Sequence, residues 1–491
     1  MSDQVRITTR EIGVIEPLLH GHFAEHLGRC IYGGLWVGSD DDVATENGIR
    51  QDTLKLLSDL EIPMLRWPGG CFADDYQWTD GIGPRGERPR RRNAHWTQGR
   101  ANVPEESNAF GTHEFLTLCE ELDCEPYLAA NVGTGTPDMA ADWVEYCNYD
   151  GDTSLVEQRR ENGRENPWNV RYWGVGNENW GCGGNYAPKT YAEEYRRFAT
   201  YLRSLRGPMG IDLDLVLCGH FVEGWNETVL ETLQEDVEMV DHLSVHRYYH
   251  AGNATEFSNE EYYELFANAS QLLDDIDDAA SAINEHAAPG SIGIAVDEWG
   301  VWHPVAESDN GLEQPNTVRD AISAAGILDG FHHRADVLSM GNLAQTINVL
   351  QCLIKTDETA AWPTPTYHIF ELHQPHQGRV SHEVSIDTES VAVGDGNDVP
   401  LLTASASAGE DDWFVTIANR DTAERTVTIQ LDEEGLATVE AAVLFDDTEP
   451  SAHPDGPGHD YSPDPHDATI ENSGTVSCTL PGSSVVSLSI A

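Results

Sequence analysis

The chain has 491 residues, 40% of them hydrophobic, and it carries 28 Lys plus Arg against 84 Asp plus Glu, for a formal net charge of −56. This length predicts a large domain with a smaller companion, and the charge excludes nucleic acid as a partner, because phosphate binding requires basic clusters. The one basic run, Arg85 to Arg92, contains five arginines, which we expect to pair with nearby acids.

The acidic residues are spread over the whole chain rather than gathered in a tail. Self-repulsion of this size opposes compaction in dilute buffer, whereas at 1 M salt the Debye length falls to about 3 Å. We therefore expect a protein of a high-salt cytoplasm. The alternative is that the acidic surface only aids solubility.

No targeting or membrane signal is evident in the sequence. The amino terminus lacks a charged segment followed by an apolar one, and no run of about 18 apolar residues could span a bilayer. We therefore expect a cytoplasmic protein without a membrane partner. The nine cysteines include no CxxC pair, which argues against a disulfide framework or a zinc site, so the sequence predicts neither metal nor cofactor.

Short apolar runs alternate with longer amphipathic segments eight times between residues 20 and 375. The runs predict strands at His22 to Leu27, Met64 to Trp67, Pro126 to Val132, Val170 to Gly176, Leu213 to Gly219, His242 to His246, Ile292 to Asp297 and Val337 to Met340. The intervening segments predict helices that include Asp52 to Leu60, Asn108 to Leu122, Thr190 to Leu205, Glu260 to His286 and Thr317 to His333. This alternation predicts an α/β fold, a (β/α)8 TIM barrel. An open doubly wound sheet is the alternative, although no glycine-rich fingerprint follows the first strand.

Beyond Gln377 the sequence alternates β-branched and polar residues, as in Trp413 to Ile417, Thr426 to Leu431 and Val485 to Ile490. This period of two predicts a C-terminal antiparallel β-sandwich, jelly-roll-like in kind. Gln4 to Thr9 alternates in the same way, so we expect it to add one strand to that sandwich. A polar, Pro- and Gly-rich stretch at 451–466 predicts a long surface loop. The expected domains are an N-terminal strand at 1–15, a catalytic barrel at 16–378 and the sandwich at 379–491.

Two apolar, strand-like segments end in a glutamate. Tyr172-Trp-Gly-Val-Gly-Asn-Glu178 closes the fourth predicted strand, and Ile292-Gly-Ile-Ala-Val-Asp-Glu298 closes the seventh. Taken singly, either glutamate is explained as a solvated surface charge. Together they lie where a barrel exposes its chemistry, and a pair of carboxyl groups is what cleavage of a glycosidic bond requires. In a retaining enzyme the two groups would lie about 5 to 5.5 Å apart.

Seven sequence blocks together resemble the signature of a known protein family. In chain order they are Gly21-His-Phe-Ala-Glu25-His-Leu-Gly-Arg-Cys-Ile-Tyr-Gly-Gly34, Arg66-Trp-Pro-Gly-Gly-Cys-Phe72, Trp78-Thr-Asp-Gly-Ile-Gly-Pro-Arg85, Gly174-Val-Gly-Asn-Glu-Asn179, Ser244-Val-His-Arg-Tyr-Tyr249, Asp297-Glu-Trp-Gly-Val-Trp302 and Asn342-Leu-Ala-Gln-Thr-Ile-Asn348. The chain thereby resembles family 51 of the glycoside hydrolases, which are chiefly α-L-arabinofuranosidases. The resemblance covers residues 1 to about 380, and it implies a homo-oligomer, hexameric or smaller.

The resemblance assigns Glu178 as acid/base and Glu298 as nucleophile, in agreement with their positions at strand ends. The residues that it assigns to substrate binding are Glu25, Arg66, Cys71, Trp96, Asn177, His246, Tyr248, Trp302 and Gln345. Arg66 and His246 would lie close to the nucleophile and keep it ionised. Tyr248 would steady the nucleophile or the ring oxygen of the sugar. The two tryptophans would form aromatic walls that exclude water.

Two cysteines depart from the family's pattern. Many members have Asn at the position of Cys71, so a side-chain contact with the sugar is in doubt here, while the backbone N–H remains available. Cys182 also follows a barrel strand, and we raise the hypothesis that it approaches Cys71. Four histidines outside the blocks are interpreted as ordinary surface or helix residues, namely His332, His333, His373 and His376.

These observations predict a retaining exo-glycoside hydrolase that releases terminal α-L-arabinofuranosyl residues from arabinoxylan- or arabinan-derived oligosaccharides by double displacement. The expected partner is thus an arabinose-containing oligosaccharide or polysaccharide. One alternative is a β-xylosidase or endo-glucanase on the same scaffold, because strand ends alone do not distinguish a furanose pocket from a pyranose cleft. Another is a non-catalytic carbohydrate-binding protein, which would leave the two strand-end glutamates unexplained.

Overall fold

In the computed structural model, the chain is described over residues 3–38, 43, 45–93, 95–96, 105–394, 397–432, 437–472 and 474–491. Eight parallel strands of these residues close into a barrel. They are Gly21–Phe23, Met64–Trp67, Glu125–Ala130, Tyr172–Val175, Asp214–Leu217, His242–Tyr249, Gly293–Val301 and Leu338–Ala344. Each overlaps one of the eight predicted strands, which confirms the predicted barrel and excludes the alternative of an open doubly wound sheet.

The barrel strands are mostly buried because both of their faces are covered. The whole of Met64–Trp67 is buried, for example, and so is the whole of Tyr172–Val175. Side chains that point inward fill the barrel itself, and they are Met64, Tyr127, Tyr172, Val216, Ala295 and Met340. The interior is therefore packed, as in other barrels of this type, which leaves the carboxyl ends of the strands as the place for a site.

The helices of the described residues surround this barrel. They are Gln51–Asp59, Thr112–Leu122, Pro137–Asn148, Ser154–Glu161, Pro188–Ser204, Arg206–Met209, Trp225–Thr232, Asn259–His286, Val318–His332 and Pro365–His373. The longest begins at a capping box formed by Ser258 and Glu261. The helix expected from Asn108 begins only at Thr112, because Asn108 has φ of +56° and Gly111 is extended. Neither conformation continues a right-handed helix.

The C-terminal antiparallel domain is also confirmed. Its ten described strands are Asp3–Val14, Val380–Asp387, Leu402–Ala408, Trp413–Asn419, Arg425–Leu431, Val439–Leu444, Asp464–His466, Ala468–Asn472, Thr475–Leu480 and Ser484–Ile490. The amino-terminal strand lies between Val380–Asp387, to which it is antiparallel, and Arg425–Leu431, to which it is parallel. The expected loop at 451–466 is irregular except at its end, where Asp464–His466 pairs with Val439–Leu444.

Three of the four histidines interpreted as ordinary surface or helix residues lie in helices, His332 and His373 at the ends of α-helices and His376 in a 3-10 helix, but none of these three is on the surface. His332, His373 and His376 are buried where the barrel packs against the sandwich, and His333 is partly buried. His332 Nδ1 lies 2.9 Å from Ser405 Oγ, and His376 Nδ1 lies 2.8 Å from the hydroxyl of Ser407. Hydroxyl-bearing residues from distant strands supply these partners, so local sequence gave no indication of the burial.

The arginine run pairs with acidic residues, as the sequence predicts. Arg85 and Arg88 both bind Glu114 at 2.9 Å, and Arg91 binds Asp80 at 2.7 Å. Arg90 likewise binds Glu105 at 3.0 Å, so four of the five arginines have an acidic partner. Among the residues that the structure describes, none of the helices combines the length and apolarity needed to cross a membrane.

Candidate active site

Glu178 and Glu298 lie close together at the carboxyl ends of the fourth and seventh barrel strands. A carboxylate oxygen of each and a ring nitrogen of His246 all lie within 4.8 Å of one another. Inverting glycosidases need room for a water molecule and hold their carboxyl groups about 6.5 to 9.5 Å apart. The nearest oxygens of Glu178 and Glu298 are closer than this range, which favours a retaining pair, in which one carboxylate attacks the sugar directly.

The two glutamates differ in exposure and in backbone conformation. The Glu298 side chain is 6% exposed and belongs to the strand itself, whereas that of Glu178 is 18% exposed. Glu178 has φ of +42°, a left-handed conformation that a non-glycine residue rarely adopts. Such conformations cluster at functional sites. The turn after the fourth strand thus aims the Glu178 carboxyl back over the mouth of the barrel.

Both oxygens of Glu298 accept a hydrogen bond. Arg66 Nη1 donates to Oε1 at 2.8 Å, and the Tyr248 hydroxyl donates to Oε2 at 2.8 Å. Arg66 also donates from Nη2 to Asn177 Oδ1 at 2.6 Å. A buried polar group is costly unless it is hydrogen-bonded, so these two donors satisfy both oxygens of Glu298 and fix its orientation.

Asp297 is a member of the site that the sequence analysis missed. The register with the eighth strand shifts between Val296 and Trp299, and such a shift changes the face to which side chains point. Asp297 Oδ2 consequently lies 3.5 Å from Arg66 Nε, on the same guanidinium that binds Glu298. Tyr127, also missed, donates its hydroxyl to Asp297 Oδ2 at 2.7 Å.

His246 lies between the carboxyl groups of Glu178 and Asp297. Its Nδ1 lies 3.1 Å from Glu178 Oε1, and its Nε2 lies 2.9 Å from Asp297 Oδ1. Burial alone would lower the pKa of His246, but the negative charges of Glu298 and Asp297 outweigh it and raise this pKa to about 10. His246 is therefore a cation at neutral pH, and it donates to both neighbours.

The pKa values of Glu178 and Asp297 are shifted in opposite directions. Burial raises the pKa of Glu178, and the charge of Glu298 adds to that rise, against the opposing hydrogen bond from His246. Burial would likewise raise the pKa of Asp297, but Arg66 and His246 hold it below its ordinary value. Glu178 is thus suited to carry a proton while Asp297 stays charged, which separates an acid from a structural anion.

Asp74, the third residue that the sequence analysis missed, holds the loop that carries Glu178. Its buried carboxylate accepts backbone N–H groups from Val132 and Gly133 at 2.7 Å each and from Asn177 at 2.8 Å. Burial raises the pKa of Asp74 to about 7 despite these bonds. Because Asn177 directly precedes Glu178, this contact positions both residues.

Glu25, Gln345 and Trp96 form a second polar group in the site. Gln345 Nε2 donates to Glu25 Oε2 at 3.2 Å, and Trp96 Nε1 donates to Oε1 at 3.2 Å. The backbone N–H of Phe72 also donates to Oε1, at 2.9 Å. Burial, together with the charge of Glu298, raises the pKa of Glu25 to about 8. These groups offer hydroxyl-binding donors and acceptors beside the nucleophile.

The remaining predicted residues border the same mouth. Trp302 packs edge to face on Tyr248, with ring centroids 5.1 Å apart. Cys71 and Cys182 form a disulfide, with Cα atoms 5.5 Å apart, which confirms the hypothesis that they approach each other. Cys182 Sγ lies 3.6 Å from Glu178 Oε2. Each predicted site residue therefore contacts another member of the site.

The comparison with known proteins agrees with this geometry. The model described as alpha-L-arabinofuranosidase 1 domain matches residues 56–271, and that described as alpha-L-arabinofuranosidase C-terminal domain matches residues 297–484. The chain is 37% identical to an intracellular exo-alpha-L-arabinofuranosidase of Bacteroides ovatus, with 97% of this chain and 93% of that protein covered. It superposes on the GH51 arabinofuranosidase of Xanthomonas axonopodis pv. citri with a TM-score of 0.92 and 32% identity over 100% of both chains. The chain belongs to the α-L-arabinofuranosidases of glycoside hydrolase family 51.

A further member of the family extends the comparison. The α-L-arabinofuranosidase of Thermotoga maritima, solved in complex with arabinose, is 30% identical and superposes with a TM-score of 0.79 over 99% of both chains. These relatives do not favour the alternatives of a β-xylosidase, an endo-glucanase or a non-catalytic binding protein. Membership of family 51 also agrees with the retaining geometry of the two glutamates.

Proposed function

We propose that this protein is a retaining, exo-acting α-L-arabinofuranosidase that releases terminal α-L-arabinofuranosyl residues from arabinoxylan- or arabinan-derived oligosaccharides. The observation that carries the proposal is the approach of Glu178 and Glu298 to within 4.8 Å at the mouth of the barrel. A pair at this distance attacks and protonates the same glycosidic bond. The names of the relatives supply the choice of arabinofuranose.

In the first step Glu298 attacks the anomeric carbon while Glu178 protonates the departing oxygen. Arg66 and Tyr248 each hold one oxygen of Glu298 before the attack. The attacking oxygen loses negative charge as the bond forms, so the positive guanidinium fixes the nucleophile in place but does not favour the ester over the anion. Positioning is thus the main contribution of these donors.

In the second step the same residues act in reverse. Formation of the ester removes the negative charge of Glu298, which is one of the causes of the raised pKa of Glu178. Glu178 therefore becomes a better base once it has lost its proton to the leaving group. It then takes a proton from a water molecule that attacks the anomeric carbon, and two inversions retain the configuration.

The residues around the pair have roles that follow from their chemistry. Glu25, Asn177 and Gln345 would bind the hydroxyl groups of the arabinosyl ring, and the backbone N–H of Cys71 is a further donor. Trp302 and Trp96 would enclose the ring and exclude water. His246 is a positioning residue, because it orients Glu178 through Nδ1 and is itself fixed by Asp297.

Two variants test the proposal. Glu298→Gln should abolish turnover of p-nitrophenyl α-L-arabinofuranoside, because an amide is not a nucleophile here. Glu178→Ala should lose activity on oligosaccharides, retain part of it on substrates with good leaving groups, and be partly rescued by azide. The matched control is Glu231→Gln, which removes an equal charge from an exposed helical position. An active Glu298→Gln enzyme would refute the assignment.

The sugar specificity is tested separately. Rates on the α-L-arabinofuranoside and on the β-D-xylopyranoside should be compared in molar KCl with the same leaving group. We expect the arabinofuranoside to be hydrolysed at least tenfold faster. A preference for the xyloside would leave the catalytic pair intact and overturn the choice of substrate.

We also propose that the protein works in a high-salt cytoplasm, as a homo-oligomer no larger than a hexamer. The formal net charge of −56 supports the first part, since screening at high ionic strength removes the self-repulsion. The name of the Bacteroides relative supports an intracellular location. The melting temperature should rise with KCl concentration, and a flat curve would contradict the proposal. Light scattering in the same buffer gives the oligomeric state.

The proposed domain boundaries lie where the sequence changes from alternating strands and helices to a two-residue alternation of β-branched and polar residues. The segment 1–15, which contains the strand Asp3–Val14, belongs with the sandwich at 379–491, and the catalytic barrel occupies 16–378. Limited proteolysis should release fragments whose ends lie near these boundaries.

A further inference from the structure

The Cys71–Cys182 disulfide lies directly against the acid/base residue. It joins the loop after the second barrel strand to the loop after the fourth. One ligand atom each of Cys71, Glu178 and Cys182 lies within 4.8 Å of the other two. Both cysteines are partly exposed, whereas the other seven are buried and free. A solute that enters the pocket can therefore reach this disulfide before any other sulfur.

We propose that reduction of this disulfide by a dithiol creates a binding site for a soft divalent cation such as Zn²⁺, formed by the two cysteine sulfurs and the carboxylate of Glu178. A cation bound there would engage the oxygen that has to carry the proton, and so would stop hydrolysis. This inhibitory consequence rests on the proposed role of Glu178 as acid/base. The formation of the site does not, because it depends only on the three ligands.

The chemistry of the two steps balances. A thiolate of the dithiol attacks one cysteine sulfur, which breaks the Cys71–Cys182 bond and forms a mixed disulfide. The second thiol of the reagent then displaces that cysteine, so the reagent leaves as a disulfide and two electrons and two protons are left on the cysteines. Binding of Zn²⁺ releases the two thiol protons and the proton of Glu178 to the buffer as two Zn–S bonds and one Zn–O bond form.

The ligand set fits zinc. Zinc binds thiolates at about 2.3 Å and carboxylate oxygens at about 2.0 to 2.2 Å, in a tetrahedron. The two sulfurs would then lie about 3.8 Å apart, a separation that opening of the disulfide permits without movement of the Cα atoms, which are 5.5 Å apart. The fourth position would face the pocket and take water. Two thiolates also favour zinc over harder cations.

A second group of ligands in the site is a poorer cation site. Glu178, His246 and Glu298 also place one ligand atom each within 4.8 Å. Both oxygens of Glu298 are engaged by Arg66 and Tyr248, however. Both ring nitrogens of His246 are also engaged, since Nδ1 lies 3.1 Å from Glu178 Oε1 and Nε2 lies 2.9 Å from Asp297 Oδ1. The guanidinium of Arg66 adds a repulsive charge. We therefore expect the cation to prefer the opened disulfide.

The experiment measures zinc binding first and activity second. The protein is reduced with dithiothreitol, desalted without oxygen and titrated with Zn²⁺, and a second sample receives Co²⁺ in its place. The reduced wild type should bind one more zinc per chain than the oxidised protein and should show a thiolate-to-cobalt absorption band. Activity of the reduced sample should fall at least tenfold on addition of zinc and return with a chelator, while the oxidised sample changes less than twofold.

Two variants identify the ligands. Cys182→Ser keeps all seven buried cysteines but loses one of the two sulfur ligands, so zinc that it binds as tightly as the reduced wild type lies outside the proposed site. Glu178→Gln keeps both sulfurs but loses the carboxylate, and its reduced form should bind zinc at least tenfold more weakly than the reduced wild type.

Three results would overturn the proposal. They are equal zinc binding by reduced wild type and Cys182→Ser, unchanged zinc affinity in Glu178→Gln, and equal inhibition of the oxidised and reduced proteins. The last result would place the cation on the Glu178, His246 and Glu298 group. Since stoichiometry and the cobalt band are read without substrate, failure of the proposed hydrolysis would leave this test intact.

Discussion

Asp74→Asn tests whether a carboxylate behind the site determines the position of the acid/base. Asp74 uses Oδ1 for the N–H groups of Val132 and Gly133 and Oδ2 for that of Asn177. An asparagine keeps one oxygen, which the two N–H groups on Oδ1 would retain. Its NH2 group would then face the backbone N–H of Asn177. The N–H of Asn177 thereby loses its acceptor and lies against another donor.

The size of the effect follows from the lost bond. Above about pH 7, where Asp74 is ionised, a hydrogen bond to its charged carboxylate contributes about 1.5 to 3 kcal/mol, and about 1.36 kcal/mol corresponds to a tenfold change in rate. If the cost is expressed as displacement of the loop that carries Glu178, kcat/KM should fall roughly 10- to 150-fold. Loss of the same bond should lower the melting temperature as well.

The assay is kcat/KM on an arabinofuranoside with a poor leaving group, where protonation matters most, and on p-nitrophenyl arabinofuranoside. The loss should be larger on the first substrate, since a displaced acid harms the slower-leaving group more. Asp75→Asn is the matched control, because it removes the same charge from the next residue without touching Asn177. A kcat/KM for Asp74→Asn within twofold of the wild type on both substrates would refute the reasoning.

Three further outcomes are expected. Tyr248→Phe removes the donor to Glu298 Oε2 and should lower kcat/KM roughly 10- to 100-fold, together with the melting temperature, because a buried acceptor loses its partner; an unchanged rate would contradict the role of the phenol. The rate of the first step should fall as pH rises through the raised pKa of Glu178, since only the protonated form donates, and a profile flat up to alkaline unfolding would contradict this. Burial lowers the pKa of His20 and His22 to about 3. Both therefore stay neutral in the folded state down to that pH, whereas in the unfolded chain they are protonated below the ordinary histidine pKa of about 6.5. Each histidine should therefore destabilise the folded state by up to about 1.4 kcal/mol per pH unit as pH falls below about 6.5, while Glu25 and Asp74, whose pKa values are raised to about 8 and about 7, contribute with the opposite sign. The free energy of unfolding in urea should consequently depend less steeply on acid pH in His22→Leu than in the wild type, and the same slope in both proteins would contradict the prediction.

Some of the candidate site could be predicted from residue order, and some could not. Glu178 and Glu298 were identifiable because each ends a hydrophobic run, and parallel strands of a barrel all end at one face. Asp74 and Tyr127 carry no such signal, since an acid in a loop and a tyrosine in a buried strand are ordinary in sequence. Asp297 directly precedes Glu298, and an alternating strand would point it away. The shift in strand register is what turns it toward Arg66.

The sequence by itself determined the barrel, the antiparallel domain and the two strand-end glutamates, because those depend on hydrophobic periodicity, which is local. Only the tertiary structure decided which side chains meet, as it did for the buried histidines between the domains and for the Cys71–Cys182 bridge, whose partners are 111 residues apart. Such contacts depend on register, loop course and domain packing. A short window of sequence contains none of these, so the charge state of each carboxyl group in the site emerges only when distant strands are brought together.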